Sequence, residues 1–180
     1  MIYAVTILVL AWALGGVCKD LDTAGFLIGV VGDWLTAAWI PASVFVLAAI
    51  VSFATGTSWG TMAILFPLVV PLAHRVAPGQ EAILLGTVSS ILAGSVWGDH
   101  CSPISDTTVL SSMATSCDHM DHVRTQLPYA LLVGVVSVLF AELPVAAGWY
   151  GPWAGLVVGA VVLVALFELL SSPVGKGLGA

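Results

Sequence analysis

Two carboxylates and an imidazole stand inside a stretch of chain otherwise made of apolar and small residues: Gly98-Asp99-His100-Cys101-Ser102-Pro103-Ile104-Ser105-Asp106-Thr107-Thr108. Four hydroxyls, on Ser102, Ser105, Thr107 and Thr108, share it with Asp99 and Asp106. Hard cations such as Na+ favour oxygen ligands. A carboxylate withdrawn from water favours its protonated form. One carboxylate of this kind can therefore hold either a cation or a proton, and His100 beside it is a candidate proton relay. A second polar stretch, Thr55-Gly56-Thr57-Ser58-Trp59-Gly60-Thr61, has hydroxyls and glycines but no charge. The expected ion or proton ligands are Asp99 and Asp106. Thr55, Thr57, Ser58, Ser102, Ser105, Thr107 and Thr108 are expected to add oxygen ligands or line the path. Gly56, Gly60, Gly98 and Pro103 are expected to shape the two breaks.

The elements that must position these residues are those of a membrane protein. Of 180 residues, 59% are hydrophobic and 8% charged, and the mean hydropathy is +1.09. Soluble domains carry about 25% charged residues, so ten acids and four bases cannot coat a water-facing globule. A soluble enzyme, a disulfide scaffold and a disordered segment are excluded on this ground. The net charge of -6 excludes nucleic acid as a partner, because that needs a basic face. The apolar runs are continuous rather than alternating, which disfavours an outer-membrane barrel. The fold class that remains is an all-α polytopic membrane protein with the lipid bilayer as its solvent. Cys18, Cys101 and Cys117 are odd in number and lack CxxC spacing, so they define no disulfide framework.

A crossing helix needs about 20 mostly apolar residues. Residues 1–180 divide accordingly as a single transmembrane domain. Residues 2–17 make a first span, with no basic residue before it to suggest a cleaved signal. Residues 19–33 form an amphipathic connector. Residues 34–74 are long enough for two passes or for one hairpin that enters and leaves on the same side. A loop follows at 75–79. Residues 81–117 read as a helix interrupted at 99–108, and 118–124 as a charged loop; the segment Cys117 to His122 reads as a solvated turn that caps the next helix, with a metal site as the alternative. Spans at 125–147 and 150–170 and a flexible tail at 171–180 complete the chain. Trp34, Trp39, Trp149, Tyr150 and Trp153 fall near span ends, where aromatic belts form. Gly94 and Gly98, and Gly155 and Gly159, have the spacing that lets helices approach closely. The few bases balance between the two sides, so the positive-inside rule assigns no orientation.

Both polar stretches are wrong for an uninterrupted membrane helix. Glycines and hydroxyls disfavour helix in the first, and Pro103 removes a donor and crowds the preceding turn in the second. Non-helical backbone at membrane depth persists where it is buried in protein or lines a wet cavity, and the freed carbonyls and N–H groups there are ready ion ligands. The plainer reading of the first stretch is a kinked span whose hydroxyls bond their own helix. For the second it is a buried ion pair with one of Lys19, Arg75, Arg124 or Lys176, or an Asp99 that merely caps a helix. A mid-membrane Asp costs about 2.5–3.5 kcal/mol and usually marks an ion or proton path.

In these two stretches, and in Asp121-His122-Val123-Arg124-Thr125-Gln126-Leu127-Pro128-Tyr129-Ala130, the chain resembles the NhaC family of Na+/H+ antiporters within the ion-transporter superfamily. It resembles the C-terminal part of those longer proteins. The resemblance implies one of two inverted repeats in an elevator-type fold. A hairpin tip, here Thr55 to Thr61, would face an unwound helix, here Asp99 to Thr108, with the ion site between them. It further implies a missing N-terminal half, a split partner or a homodimer, because such sites form at repeat interfaces. The expected location is the inner membrane of a bacterial or archaeal cell.

The expected function is Na+/H+ exchange by a secondary active transporter, with Na+ and H+ as transported ions and no cofactor. One alternative is Na+-coupled transport of an organic acid or amino acid. The other is an inactive structural or assembly subunit. An enzyme is not expected: no nucleophile elbow or oxyanion arrangement accompanies the Ser, His and Asp around His100.

Overall fold

The computed structural model describes residues 36–170 and the isolated positions 9, 13, 17, 20–22 and 26. The expected span at 2–17, connector at 19–33 and tail at 171–180 otherwise lie outside the described residues. The described residues form helices and no strand. Five stretches are long and apolar enough to cross a membrane: Ala37–Thr55, Ser58–Val76, Glu81–Cys101, His119–Ala146 and Pro152–Leu169.

Helix α1 (Ile40–Thr55) follows a short 3-10 turn at Ala37–Trp39 and has Pro41 in its first turn, where a missing N–H costs nothing. It stops at Gly56, whose φ of 67° is left-handed, and the Gly56 N–H donates to the Ser52 carbonyl. Glycine takes this conformation without the Cβ penalty. Helix α2 (Ser58–Val76) restarts at once. Thr57 caps it by accepting the Gly60 N–H at 3.3 Å. The helix runs through Arg75, so the expected loop at 75–79 begins later. Arg75 pairs with Asp22 at 2.7 Å, and both side chains are too exposed for the pair to contribute more than about 1 kcal/mol.

The Gly56 turn folds α2 back along α1. Ile40, Val44 and Ala48 form one buried cluster with Leu65, Val69, Ala73 and Ile91. Every fourth residue of each helix is buried, and the series stand at matching distances from the turn: Ser52 with Thr61, Ala48 with Leu65, Val44 with Val69, Ile40 with Ala73. An i, i+4 row on each helix is the ridge that packs into its neighbour's groove.

Helix α3 (Glu81–Cys101) runs in the same direction as α1 and lies against it. A Cβ built on Gly94 would sit 2.4 Å from the Phe45 carbonyl oxygen, and one on Gly98 2.2 Å from that of Ala49. Only glycine permits this approach, so the Gly94/Gly98 spacing acts as a helix-packing motif. The Ser52 hydroxyl donates to the Ser95 carbonyl at 2.6 Å, and Phe45 stacks on Trp97.

Helix α4 (Asp106–Ala114) follows α3 after a four-residue connection, and α5 (His119–Ser137) follows α4. The expected charged loop at 118–124 is thus almost all helix. The reason is Asp118, which accepts the N–H groups of Met120 and Asp121 and so starts the helix one residue later. Beyond α5 the chain makes a π turn at Val138–Glu142, a short helix α6 (Leu143–Ala146) and helix α7 (Pro152–Leu170). Pro144 has no N–H for the Phe140 carbonyl, and the Tyr150 hydroxyl donates to that carbonyl instead. Gly155 packs on Val145, whereas a Cβ built on Gly159 would meet nothing within 4 Å.

The described residues fall into two compact units, divided between Leu131 and Leu132 inside α5. In both, large apolar side chains point outward. Ile50, Leu85, Leu156, Val161 and Leu169 are each more than half exposed. Apolar surface on this scale suits contact with lipid.

Candidate functional site

The connection between α3 and α4, residues 102–105, lies against the α1–α2 turn. Ser102 donates its hydroxyl to the Phe53 carbonyl at 2.8 Å, one of the end carbonyls that α1 cannot serve itself. Ile104 packs so tightly on Gly56 that a Cβ there would meet its side chain and carbonyl at 2.9 Å. The two polar stretches are therefore neighbours in space, although residues 62–97 separate them in sequence.

Asp99 is the buried carboxylate of this region, 5% exposed in the last turns of α3. Its Oδ1 accepts the Ser105 hydroxyl at 2.8 Å and its Oδ2 the Thr107 hydroxyl at 3.2 Å. The Ser105 and Thr107 hydroxyls are themselves 2.7 Å apart. Ser105 also caps α4, accepting the Thr107 N–H at 3.2 Å. Local sequence explains this. Pro103 ends the run of backbone donors, and Ser105 is the residue type that opens a new helix. Among the described residues neither Asp99 nor Asp106 has an ion-pair partner, and Arg75 is engaged by Asp22. A buried carboxylate answered only by hydroxyls is a costly arrangement. It leaves oxygen lone pairs able to receive a cation.

The other expected residues are placed as follows. Asp106 is exposed in the first turn of α4, where a carboxylate complements the helix dipole. Ser102 is fully buried and Thr108 nearly so. Thr55 donates to the Val51 carbonyl at 2.8 Å and lies 3.4 Å from the Thr61 hydroxyl. Thr57 serves as the α2 cap and Ser58 is the first residue of that helix. Gly56 makes the turn, and Gly60 lies in the first turn of α2 over the Thr57 methyl. Gly98 lies inside α3, which runs three residues further; its missing Cβ admits α1 rather than loosening the helix. Pro103 stands in the connection. His100 is exposed, and its carbonyl accepts from Gln126 at 2.7 Å.

Sequence reasoning missed the residues that reach this connection from α5. His119 Nε2 lies 2.7 Å from the Pro103 carbonyl, and its Nδ1 lies 3.1 Å from the Ser112 hydroxyl. The Trp97 indole donates to the Ala130 carbonyl at 2.7 Å. The sequence signals were Gln126, inside the Asp121–Ala130 stretch that carries the resemblance, and His119, in the polar segment just before it.

Comparison with known proteins gives the family. The model of the Na+/H+ antiporter family matches residues 1–143. An uncharacterized Na+/H+ antiporter of Haemophilus influenzae is 34% identical over 67% of this chain and 28% of its own length. The arginine/ornithine antiporter ArcD of Halobacterium salinarum is 35% identical over 78% of this chain and 28% of its own. The malate-2H+/Na+-lactate antiporter of Bacillus subtilis is 29% identical over 69% and 30%. The chain thus spans less than a third of the length of these relatives. No solved structure matches it. With a buried carboxylate among hydroxyls, five helices fit to cross a membrane, and a family match over most of its length, the chain belongs to the Na+/H+ antiporter family, whose members are transporters rather than enzymes.

Proposed function

We propose that this chain forms part of a secondary active transporter that exchanges Na+ for H+, with Asp99 as the group that binds one or the other. The observation that carries the reading is the buried Asp99 carboxylate, held by Ser105 and Thr107 at the connection between two helices. Na+ would take oxygens from Asp99, Ser105 and Thr107. A proton on Asp99 would leave those hydroxyls to bond among themselves. Asp106, exposed beside Ser105, would draw cations toward the site. In this reading α1 and α2 form a re-entrant hairpin, and α3 and α4 are the halves of one discontinuous helix. Binding at such discontinuities is the common plan of secondary transporters. The second repeat would come from an N-terminal half, a split partner or another copy. The proposed location is the inner membrane of a bacterial or archaeal cell.

The test uses everted vesicles from a host without its own Na+/H+ antiporters, with the chain expressed alone or with a complementary half. Na+ added to an acid-inside gradient should dissipate it with wild type and not with Asp99→Asn plus Asp106→Asn. Because Na+ and H+ compete for one group, the KM for Na+ should rise as pH falls. No dissipation by wild type with both halves present contradicts the exchange reading.

A second reading has support of its own: two relatives carry the names of an arginine/ornithine antiporter and a malate-2H+/Na+-lactate antiporter. The same site would then bind a coupling ion beside an organic acid or amino acid. An organic solute that shifts Na+ affinity would favour it.

A further inference from the structure

The 102–105 connection is held from outside the two helices it joins. His119 and Gln126 stand seven residues apart on α5, which is about two turns and hence one helix face. From that face His119 Nε2 meets the Pro103 carbonyl and Gln126 Nε2 donates to the His100 carbonyl, each at 2.7 Å. Ala130 on the same helix accepts the Trp97 indole. A carbonyl oxygen only accepts, so the His119 Nε2 must carry a proton. Its Nδ1 lies 3.1 Å from the Ser112 hydroxyl, which also donates to the Val109 carbonyl at 2.9 Å. The imidazole therefore bridges the connection to α4, which Ser112 occupies.

These carbonyls are chemically significant. The last carbonyls of a helix lack partners within it, and carbonyls freed by a break are cation ligands. The Asp99 and Ser102 carbonyls are used by the N–H groups of Ser102 and Ser105. Those of His100 and Pro103 are used by α5. We propose that His119 and Gln126 are positioning residues of the cation site. They remove two carbonyls from competition for the ion and fix the shape of the connection, so that the ion is received by Asp99, Ser105 and Thr107. The inference rests on the Asp99 reading above.

Two readouts separate the inference from that reading. The first needs no transport. Cys101 ends α3 next to the connection and is 6% exposed. In a Cys18→Ser, Cys117→Ser background, maleimide labelling of Cys101 in membranes should be slow. His119→Ala and Gln126→Ala should each speed it several-fold. The second readout is the Na+ dependence of exchange. Each Ala variant should raise the KM for Na+ about tenfold, the scale of one lost hydrogen bond, and leave kcat within about twofold. His119→Gln places an amide nitrogen near the position of Nε2 and should restore both. His119→Asn reaches only the position of Nδ1 and should restore neither. Wild-type labelling and KM in both Ala variants overturn the proposal. So does activity that falls only with the amount of protein in the membrane, or equal rescue by Asn and Gln. If wild type exchanges no Na+, the Asp99 reading fails, and labelling alone decides whether α5 pins the connection.

Discussion

The two polar stretches solve the same problem in opposite ways. At the α1–α2 turn the chain satisfies itself: Gly56 adopts the left-handed conformation, its N–H returns to Ser52, and Thr57 caps the next helix. Each of these bonds is within a few residues, and the distant bond added to them is that of the Ser102 hydroxyl to the Phe53 carbonyl. At the α3–α4 connection the Ser105 cap, the short backbone bonds and the bonds of Asp99 to Ser105 and Thr107 are local. The remaining groups are met from a distance, by Phe53 on α1 and by His119 and Gln126 on α5. The difference follows from what each holds. The turn carries no charge, so local capping and one neutral bond from Ser102 are sufficient. The connection must keep a buried carboxylate, Asp99, and a polar group withdrawn from water is tolerable only when its partners are fixed. The self-contained stretch suits a rigid tip, and the externally held one suits a site whose shape other helices can alter.

The largest effect is expected where both stretches depend on one contact. Gly98→Val adds a side chain whose Cβ would stand 2.2 Å from the Ala49 carbonyl oxygen. Because the obstacle is backbone, α1 and α3 must separate. The variant should fail to accumulate as folded protein, read by size-exclusion profile in detergent. A normal profile would show that the α1–α3 packing does not govern the placement of either stretch.

Ser102→Ala should have an intermediate effect. It removes the donor to the Phe53 carbonyl and thus the link between turn and connection. An unmet buried acceptor costs about 1–3 kcal/mol. The Tm in detergent should fall and the KM for Na+ should rise together. A fall in Tm with unchanged KM would mean that the link stabilises the fold without shaping the site.

Thr57→Ala should be smallest. Loss of an N-cap costs about 0.5–2 kcal/mol, and the bond involved stays inside the first turn of α2. A modest drop in Tm with unchanged KM is expected. A large change in KM would show that the turn is not self-contained.

Much of this arrangement was legible in the sequence, and for local reasons. The Gly, Ser and Thr of 55–61 and the Pro103 of 102–105 act on their own backbone, so the positions of both interruptions could be read from composition, but not their extent: only 56–57 and 102–105 leave the helix, not all of 55–61 and 99–108. Asp99 stood out because a carboxylate in an apolar run has few tolerable explanations. The spacing of Gly94 and Gly98 announced a close helix contact but not its partner. Three features were not legible. His119 and Gln126 reach the connection only once α5 has docked, and nothing in their own neighbourhood signals it. The Asp118 cap turned a charged segment into helix, where charge density had suggested a loop. Asp99 and Asp106 looked equivalent on paper. The start of α4 between them leaves one buried and the other exposed.

That last distinction is the most direct test of the account. Asp99→Asn and Asp106→Asn, made singly at equal membrane abundance, should be compared for Na+-dependent dissipation of an acid-inside gradient in everted vesicles. The account predicts that Asp99→Asn abolishes dissipation, while Asp106→Asn retains it with a higher KM for Na+. Exchange at the wild-type rate by Asp99→Asn would contradict it.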